Sequence, residues 1–337
     1  MRIIVDGMGG DNAPGEIVKG CLQAAALAPH EIVIVGDETA VRKELDKHSG
    51  GGSISVIHAS QTIENDEAPV KAVRTKKDSS IVKGLNMVKE KEADLFISAG
   101  NSGAIMAGSM FILGRIPGID RPAIAATFPI LSRGAALLAD SGANTDCKPR
   151  NLLEFATMGS IYAEKVLELP SPRVGLINVG VEASKGPALQ KAAYELLELS
   201  PSLNFIGNVE AREVPQGCCD VAVCDGFTGN VFLKTMEGMG SAVMRTVKHS
   251  LTSDAFSKMG AFLLMGKLRK MKALFDYAEY GGAPILGVRG AVVKMHGSSD
   301  ARAVKCAILK GIPYAENKVV QMIEDSVLEM EALERSE

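Results

Sequence analysis

Five times along the chain a short apolar run stops at glycine, aspartate or serine and gives way to an amphipathic stretch. No other feature narrows the possible folds so far. Ile3 to Val5 leads into Asp6-Gly7-Met8-Gly9-Gly10-Asp11, Ile32 to Val35 into Gly36-Asp37, and Asp94 to Ile97 into Ser98-Ala99-Gly100-Asn101-Ser102-Gly103. Val174 to Ile177 leads into Asn178-Val179-Gly180, and Val221 to Cys224 into Asp225-Gly226-Phe227-Thr228-Gly229-Asn230. Such alternation predicts an α/β protein, a parallel sheet covered by helices. In an open sheet of this kind ligands bind beyond the carboxyl ends of the strands, so the polar glycine loops should share one face and outline a cleft. No repeat of roughly 20 to 50 residues and no low-complexity linker interrupts the pattern. Any two domains are therefore expected to be joined by the sheet itself.

Composition sets the bounds. A chain of 337 residues has room for one large or two intimate domains. With 35 glycines, 4% aromatics and no tryptophan, it should build a core of Ala, Val, Ile, Leu and Met threaded by tight turns. A net charge of -3 with 23% charged residues suits neither a disordered chain nor a basic nucleic-acid binder. The six cysteines form no CxxC and the five histidines no HExxH, so a structural zinc site is not expected, and the chain is read as working without a cofactor. Met1 runs straight into an apolar segment without the pattern of a signal peptide, which predicts a cytoplasmic protein with reduced thiols.

Two segments test the soluble reading. Leu95 to Gly114 carries no charge and is about long enough to span a bilayer, ~20 residues, but its Ser98, Gly100, Asn101, Ser102, Gly103, Gly108 and Ser109 favour a buried strand, a glycine turn and a small-residue helix. Leu251 to Phe275 interleaves Phe256, Met259, Phe262, Leu263, Leu264, Met265, Leu268, Met271, Leu274 and Phe275 with Lys258, Lys267, Arg269, Lys270 and Lys272. The spacing predicts two short helices hinged at Gly266, suited either to an anionic membrane surface or to a dimer-forming hairpin.

The loops suggest anion chemistry. Ser98 to Gly103 would present backbone N–H groups at a helix N-terminus, where a phosphate or carboxylate can approach closely. It lacks the Lys-Ser/Thr of a Walker loop, and Gly7, Gly9 and Gly10 have the wrong spacing for a dinucleotide fingerprint. Lys185, in Glu182-Ala183-Ser184-Lys185-Gly186, and Lys234 are candidate cations, and His296 is the one histidine in a glycine-serine turn. Asp6, Asp11, Asp140 and Asp225 stand at strand ends, where they can hold a metal or cap helices and orient loops; without a close carboxylate pair, orientation is favoured. No GxSxG elbow supports a covalent acyl-enzyme.

Taken together in order, the motifs are more specific than any one of them. Asp6 to Asp11, Lys76-Lys77-Asp78-Ser79-Ser80, Ser98 to Ala104, Asp140 to Asn144, Gly207-Asn208-Val209-Glu210, Asp225 to Asn230 with Lys234-Thr235 and Glu237-Gly238, Gly281-Gly282-Ala283-Pro284 and His296-Gly297 follow one another over nearly the whole length. In these the chain resembles the bacterial phosphate acyltransferases, which make acyl phosphate from acyl-acyl-carrier-protein at the start of phospholipid synthesis. Departures are mild: Ser102 where Thr is usual, Ser141 where Val is usual, and Ala211 and Glu213 where Gly and Asp are usual.

The resemblance implies a three-layer αβα fold like that of isopropylmalate dehydrogenases and phosphotransacetylases, with two domains around a cleft. On that basis residues 1–140 with 285–337 are expected to form one domain and 141–284 the other, which includes the helical hairpin 251–275. It also implies a homodimer on the inner face of the plasma membrane, passing its product to a membrane acyltransferase that acylates glycerol 3-phosphate. Substrates would be inorganic phosphate and acyl-acyl-carrier-protein; nucleic acid is not expected as a partner. Asn101, Ser102, Lys185, Asn230, Lys234 and His296 are the candidates for catalysis. Asp6, Gly7, Gly9, Gly10, Ser98, Gly100, Gly103, Asp140, Asn144, Asp225, Gly226 and Gly229 are the candidates for shaping the substrate site. Competing readings are a phosphotransacetylase acting on acetyl-CoA, a metal- and NAD-dependent decarboxylating dehydrogenase, and a non-catalytic membrane scaffold.

Overall fold

The computed structural model describes residues 1–48, 54–130, 134–274 and 281–334. Side-chain placement in the amphipathic segment ends at Leu268, so the roles expected of Met271, Leu274, Phe275 and the basic residues from Arg269 to Lys272 lie outside what is described.

The five apolar runs divide between two sheets. In the first lie β1 (Arg2–Asp6), β2 (Glu31–Gly36), β3 (Ile54–His58), β4 (Leu95–Ser98), β5 (Ala123–Ile124), β11 (Ala283–Leu286) and β12 (Ala291–Lys294), in the order β3-β2-β1-β4-β12-β11-β5. In the second lie β6 (Ala126–Pro129), β7 (Ala135–Ala139), β8 (Arg173–Asn178), β9 (Asn204–Glu210) and β10 (Val221–Val223), in the order β6-β7-β10-β8-β9. Pairing is parallel except where β11 meets β12 and β5, and where β6 meets β7. The expectation of one sheet joining two domains is thus corrected. The chain steps from one sheet to the other at Ala125, whose N–H donates to the Pro284 carbonyl. Strands buried on both faces read alike in either sheet, so the apolar runs could not tell them apart. The expected domain boundaries lay at 140 and 285, whereas the sheets part at Ala125 and before Ala283.

Strand residues alternate between two helical layers, as a period of two requires. Ile3, Val5, Ile32, Ile34, Leu95 and Ile97 join one core cluster, while Ile4, Val33, Val35 and Phe96 join another on the opposite face. The first cluster runs on through Leu137, Val174 and Val221 of the second sheet, so the two halves share one core. Helices α1 (Gly15–Ala25), α2 (Glu38–Leu45), α3 (Pro69–Thr75), α4 (Ser80–Lys89) and α5 (Ser102–Gly108) belong to the first half. The second half contributes α6 (Pro149–Lys165), α7 (Ala188–Glu198), α8 (Gly226–Leu251) and α9 (Ala255–Leu274), and the chain closes with α10 (Ala301–Glu316) and α11 (Val319–Glu334). Helix α6 is buried along most of its length. Its Tyr162 ring meets Tyr314 of α10 edge-on at 5.5 Å, and the Tyr314 hydroxyl donates to the Ile285 carbonyl. These contacts lock the two halves to each other.

The uncharged stretch from Leu95 resolves into β4, a loop and α5, followed by a π-helical turn over Ser109–Leu113. Among the described residues no helix is long and apolar enough to cross a membrane. The hinge expected at Gly266 is absent, because α9 is continuous from Ala255 to Leu274. A single internal glycine costs a helix roughly 1 kcal/mol, which does not suffice to break it.

Candidate active site

Buried aspartates shape the loops beyond the strand ends. At the end of β1, the Asp6 carboxylate accepts from the Met8 N–H at 3.0 Å and from the Ser98 hydroxyl at 2.6 Å; Ser98 Oγ in turn accepts from the Gly100 N–H at 3.0 Å. A Cβ on Gly9 would sit 2.6 Å from the Gly100 nitrogen, so the two loops touch backbone to backbone and only glycine fits between them. The third loop is stitched to these by the Asp11 N–H on the Gly297 carbonyl and the Met295 N–H on the Ser98 carbonyl. Burial holds the Asp6 carboxyl above its ordinary range, against the opposing pull of Ser80, Ser98 and the backbone donors.

Asp140 plays the same part for the second sheet. Its carboxylate takes the backbone N–H groups of Ile124, Gly142, Ala143 and Asn144 and the Asn144 side-chain amide. The Asn144 carbonyl then receives the Gly226 N–H, and a Cβ on Gly229 would collide with the Asp140 carbonyl. Asp225 caps α8 by accepting from the Thr228 N–H at 2.9 Å. Asp6, Asp140 and Asp225 thus orient loops, and among the described residues no three His, Cys, Asp or Glu side chains converge as a metal set. Gly7 packs on Ile34, and Gly103 on Pro69, so these two serve loop packing as well.

Between the two sets of loops opens a cleft of about 1120 Å³. Its polar end is lined by Ser102, Asn230, Lys234, Lys294, His296 and Ser298. Four of the six candidates for catalysis therefore line this cleft: Ser102, Asn230, Lys234 and His296. Asn101 and Lys185 are not among the lining residues. The Asn101 side chain is buried and fully engaged, its Oδ1 accepting from the Ala104 N–H and its Nδ2 donating to the carbonyls of Glu64, Asn65 and Glu67. That leaves the first-turn N–H groups of Ser102 and Gly103 as the donors a ligand would meet. Lys185 is exposed in the loop after β8, which folds back so that its carbonyl accepts from Asn178 Nδ2.

Lys294 completes the polar end and belongs to no motif; its only sequence signal is a cation at the carboxyl end of an apolar run. Burial pushes its ammonium below the ordinary lysine value, and the charge of Lys234 pushes the same way, partly offset by Glu237. Lys234 Nζ itself reaches Glu237 Oε2 at 2.7 Å. His296 is likewise held below its ordinary value, first by burial and then by Lys234 and Lys294, with Glu237 and Asp11 opposing. Since the Ser298 N–H can only donate, its 3.3 Å bond to His296 Nδ1 makes that nitrogen the acceptor. A neutral imidazole then carries its proton on Nε2. Two cations, a neutral imidazole N–H, an amide and a hydroxyl are suited to binding a phosphate dianion beside a polarised carbonyl.

The family model described as fatty acid synthesis protein matches residues 1–322. The chain is 50% identical over 324 residues to the phosphate acyltransferase of Clostridioides difficile (strain 630), covering 96% of this chain and 95% of that one. It is also 50% identical over 328 residues to the phosphate acyltransferase of Alkaliphilus oremlandii (strain OhILAs), covering 97% of each. Among solved structures it is similar to a phosphotransacetylase from Streptococcus pyogenes, with a TM-score of 0.64 at 19% identity over 94% of both chains. A branched-chain phosphotransacylase from Enterococcus faecalis V583 gives a TM-score of 0.57 at 13% identity, over 94% of this chain and 99% of that one. At such identities the structural likeness shows the fold alone, the three-layer αβα arrangement of phosphotransacylases.

Proposed function

The chain belongs to the family of fatty acid synthesis proteins that includes the phosphate acyltransferases, and from that premise we propose that it transfers a fatty acyl group from acyl-acyl-carrier-protein to inorganic phosphate. The observation that carries the reading is a cleft lined by Ser102 and Asn230 in which Lys234 and Lys294 act electrostatically on each other and on His296.

Phosphate near neutral pH is partly dianionic and attacks a thioester without a strong general base. Lys234 and Lys294 balance its charge, and the Ser102 hydroxyl with the first-turn N–H groups of α5 orients it. As the phosphate oxygen bonds to the carbonyl carbon, negative charge gathers on the carbonyl oxygen, where Asn230 Nδ2 and His296 Nε2–H donate. Collapse of this adduct breaks the C–S bond; the electron pair leaves on sulfur, and the thiolate takes a proton from water. Holding two anionic reactants in register is the main task, and orientation of this kind contributes up to ~7 to 11 kcal/mol.

The finer expectations rest on surfaces. Phe227, Val231, Met239 and Val243 are exposed at helical spacing along α8 and suit pairing with a second copy. Phe256, Met259, Phe262 and Leu263 are exposed on α9 beside Lys258 and Lys267, which suits peripheral attachment to an anionic membrane on the cytoplasmic side, where a glycerol 3-phosphate acyltransferase would consume the product. Incubation with phosphate and either carrier-protein or CoA thioesters tests the function. Acyl phosphate formed only from the carrier-protein thioester supports the reading; formation only from acetyl-CoA supports a phosphotransacetylase, and no product from either supports a scaffold.

A further inference from the structure

The cleft continues past its polar end. Beyond Lys234 it follows α8 toward Leu251, where Met244, Val247 and Leu251 on α8 and Ala261, Met265 and Leu268 on α9 form most of the wall, with Ser241, Arg245 and Lys248 also lining it. The apolar α8 positions are three and four apart and so form one stripe. Met244, Val247, Leu251 and Leu268 are half-buried along this wall. At 1.5 Å of rise per residue the path from Lys234 to Leu251 is about 26 Å long, and the turn at Thr252, also part of the wall, lies at its far end.

We propose that this arm holds the acyl chain of the thioester, with the carbonyl among Asn230, Lys234 and His296 and the terminal methyl toward Leu251. The proposal rests on the phosphate acyltransferase reading and adds where the chain lies and what limits its length. Continuity decides the occupant: a mainly apolar slot, edged by Arg245 and Lys248, that opens directly onto a phosphate-binding end fits a molecule with an anionic or reactive head and a long apolar tail. A membrane lipid or a second copy of the chain would have to cover the arm from outside, and neither would need the slot to join the polar end. The two methionines also suit the role, since an unbranched, polarisable side chain adapts to tails of different length. Each further methylene taken from water into the arm should tighten binding about fourfold, until the turn at Thr252 is reached.

Met244→Trp and Met265→Trp, made separately, would shorten the arm from opposite walls without touching the polar end. The ratio of kcat/KM for palmitoyl-carrier-protein to that for butyryl-carrier-protein, with phosphate as acceptor, should fall at least tenfold in each variant that keeps its far-UV circular dichroism and melting temperature. Binding of parinaric acid, a fluorescent fatty acid, to the full chain should weaken at least tenfold in the same variants. An unchanged ratio in both folded variants, with acyl phosphate still formed, overturns the arm while leaving the function standing. If the unmodified chain makes no acyl phosphate from any thioester, the function fails, and parinaric acid then decides the arm alone: weakened binding supports it, unaltered or absent binding overturns it.

Discussion

The Ser98 hydroxyl donates to the Asp6 carboxylate at 2.6 Å, joining residues that end two neighbouring parallel strands and start two different loops. Both side chains are fully buried, and the same hydroxyl receives the Gly100 N–H, so one oxygen fixes the spacing of the loop that leads into α5. Ser98→Ala leaves the carboxylate and the Gly100 N–H each without this partner. A buried group stripped of its partner costs about 1 to 3 kcal/mol, so urea denaturation should show a loss of that size. An unchanged denaturation midpoint would mean that water replaces the hydroxyl and that Ser98 does not organise the loop.

The two lysines predict a division of labour that kinetics can read. An interaction with a charged group contributes about 1.5 to 3 kcal/mol, or roughly ten- to a hundredfold in an equilibrium constant. Lys234→Met and Lys294→Met should each raise the KM for phosphate by about that factor, with a smaller change in the KM for the thioester. Lys294→Met should in addition not reduce stability, because it removes a half-buried cation that lies beside another. A phosphate KM within twofold of the unmodified protein in both variants would take the anion site away from this end of the cleft.

Much of this site was legible in the residues, and the parts that were not share a cause. Asp225 reads as a helix cap because Thr228 follows at the capping distance, and the glycine loops read as strand ends because apolar runs precede them. Asn101 reads equally well as a ligand donor or a cap. Only the fold, by bringing the carbonyls of residues 64–67 to its amide, shows that its hydrogen bonds are already spent. Lys185 has the right charge, but its distance from the cleft is set by long-range strand order, which local pattern does not encode. Lys294 is the converse case, an ordinary lysine whose meaning comes from β12 lying next to β4. The apolar arm arises from two helices facing each other across a turn, and its α8 residues look like any amphipathic stripe.

The exposed face of α9 makes a prediction about attachment. Phe262 is 72% and Leu263 79% exposed, an expensive way to leave large apolar side chains unless a surface covers them. Phe262→Glu with Leu263→Glu should abolish flotation with vesicles containing anionic lipid, and should leave sedimentation velocity unchanged if α8 carries the contact between copies. Retained flotation would mean that the membrane is met elsewhere, and a shift to a smaller species would move the subunit contact onto α9.

His296 makes the sharpest prediction because its environment has a sign. Burial disfavours the imidazolium, and the cations of Lys234 and Lys294 disfavour it further, while Glu237 and Asp11 favour it more weakly. The net effect lies below the ordinary value of 6.5, so at neutral pH the ring is neutral, with its proton on Nε2. Histidine titration followed by NMR, with His296→Gln to assign the resonance, should show the neutral form persisting below pH 6.5. Removing one neighbouring cation, as in Lys234→Met, takes away a repulsion from the imidazolium and must move the titration upward; removing the opposing anion, as in Glu237→Gln, must move it downward. The acid limb of the reaction at saturating phosphate should follow the same two shifts if Nε2–H donates to the carbonyl oxygen. A titration at or above 6.5 in the unmodified protein, or shifts in the reverse sense, would show that His296 does not face these charges and would remove it from the site.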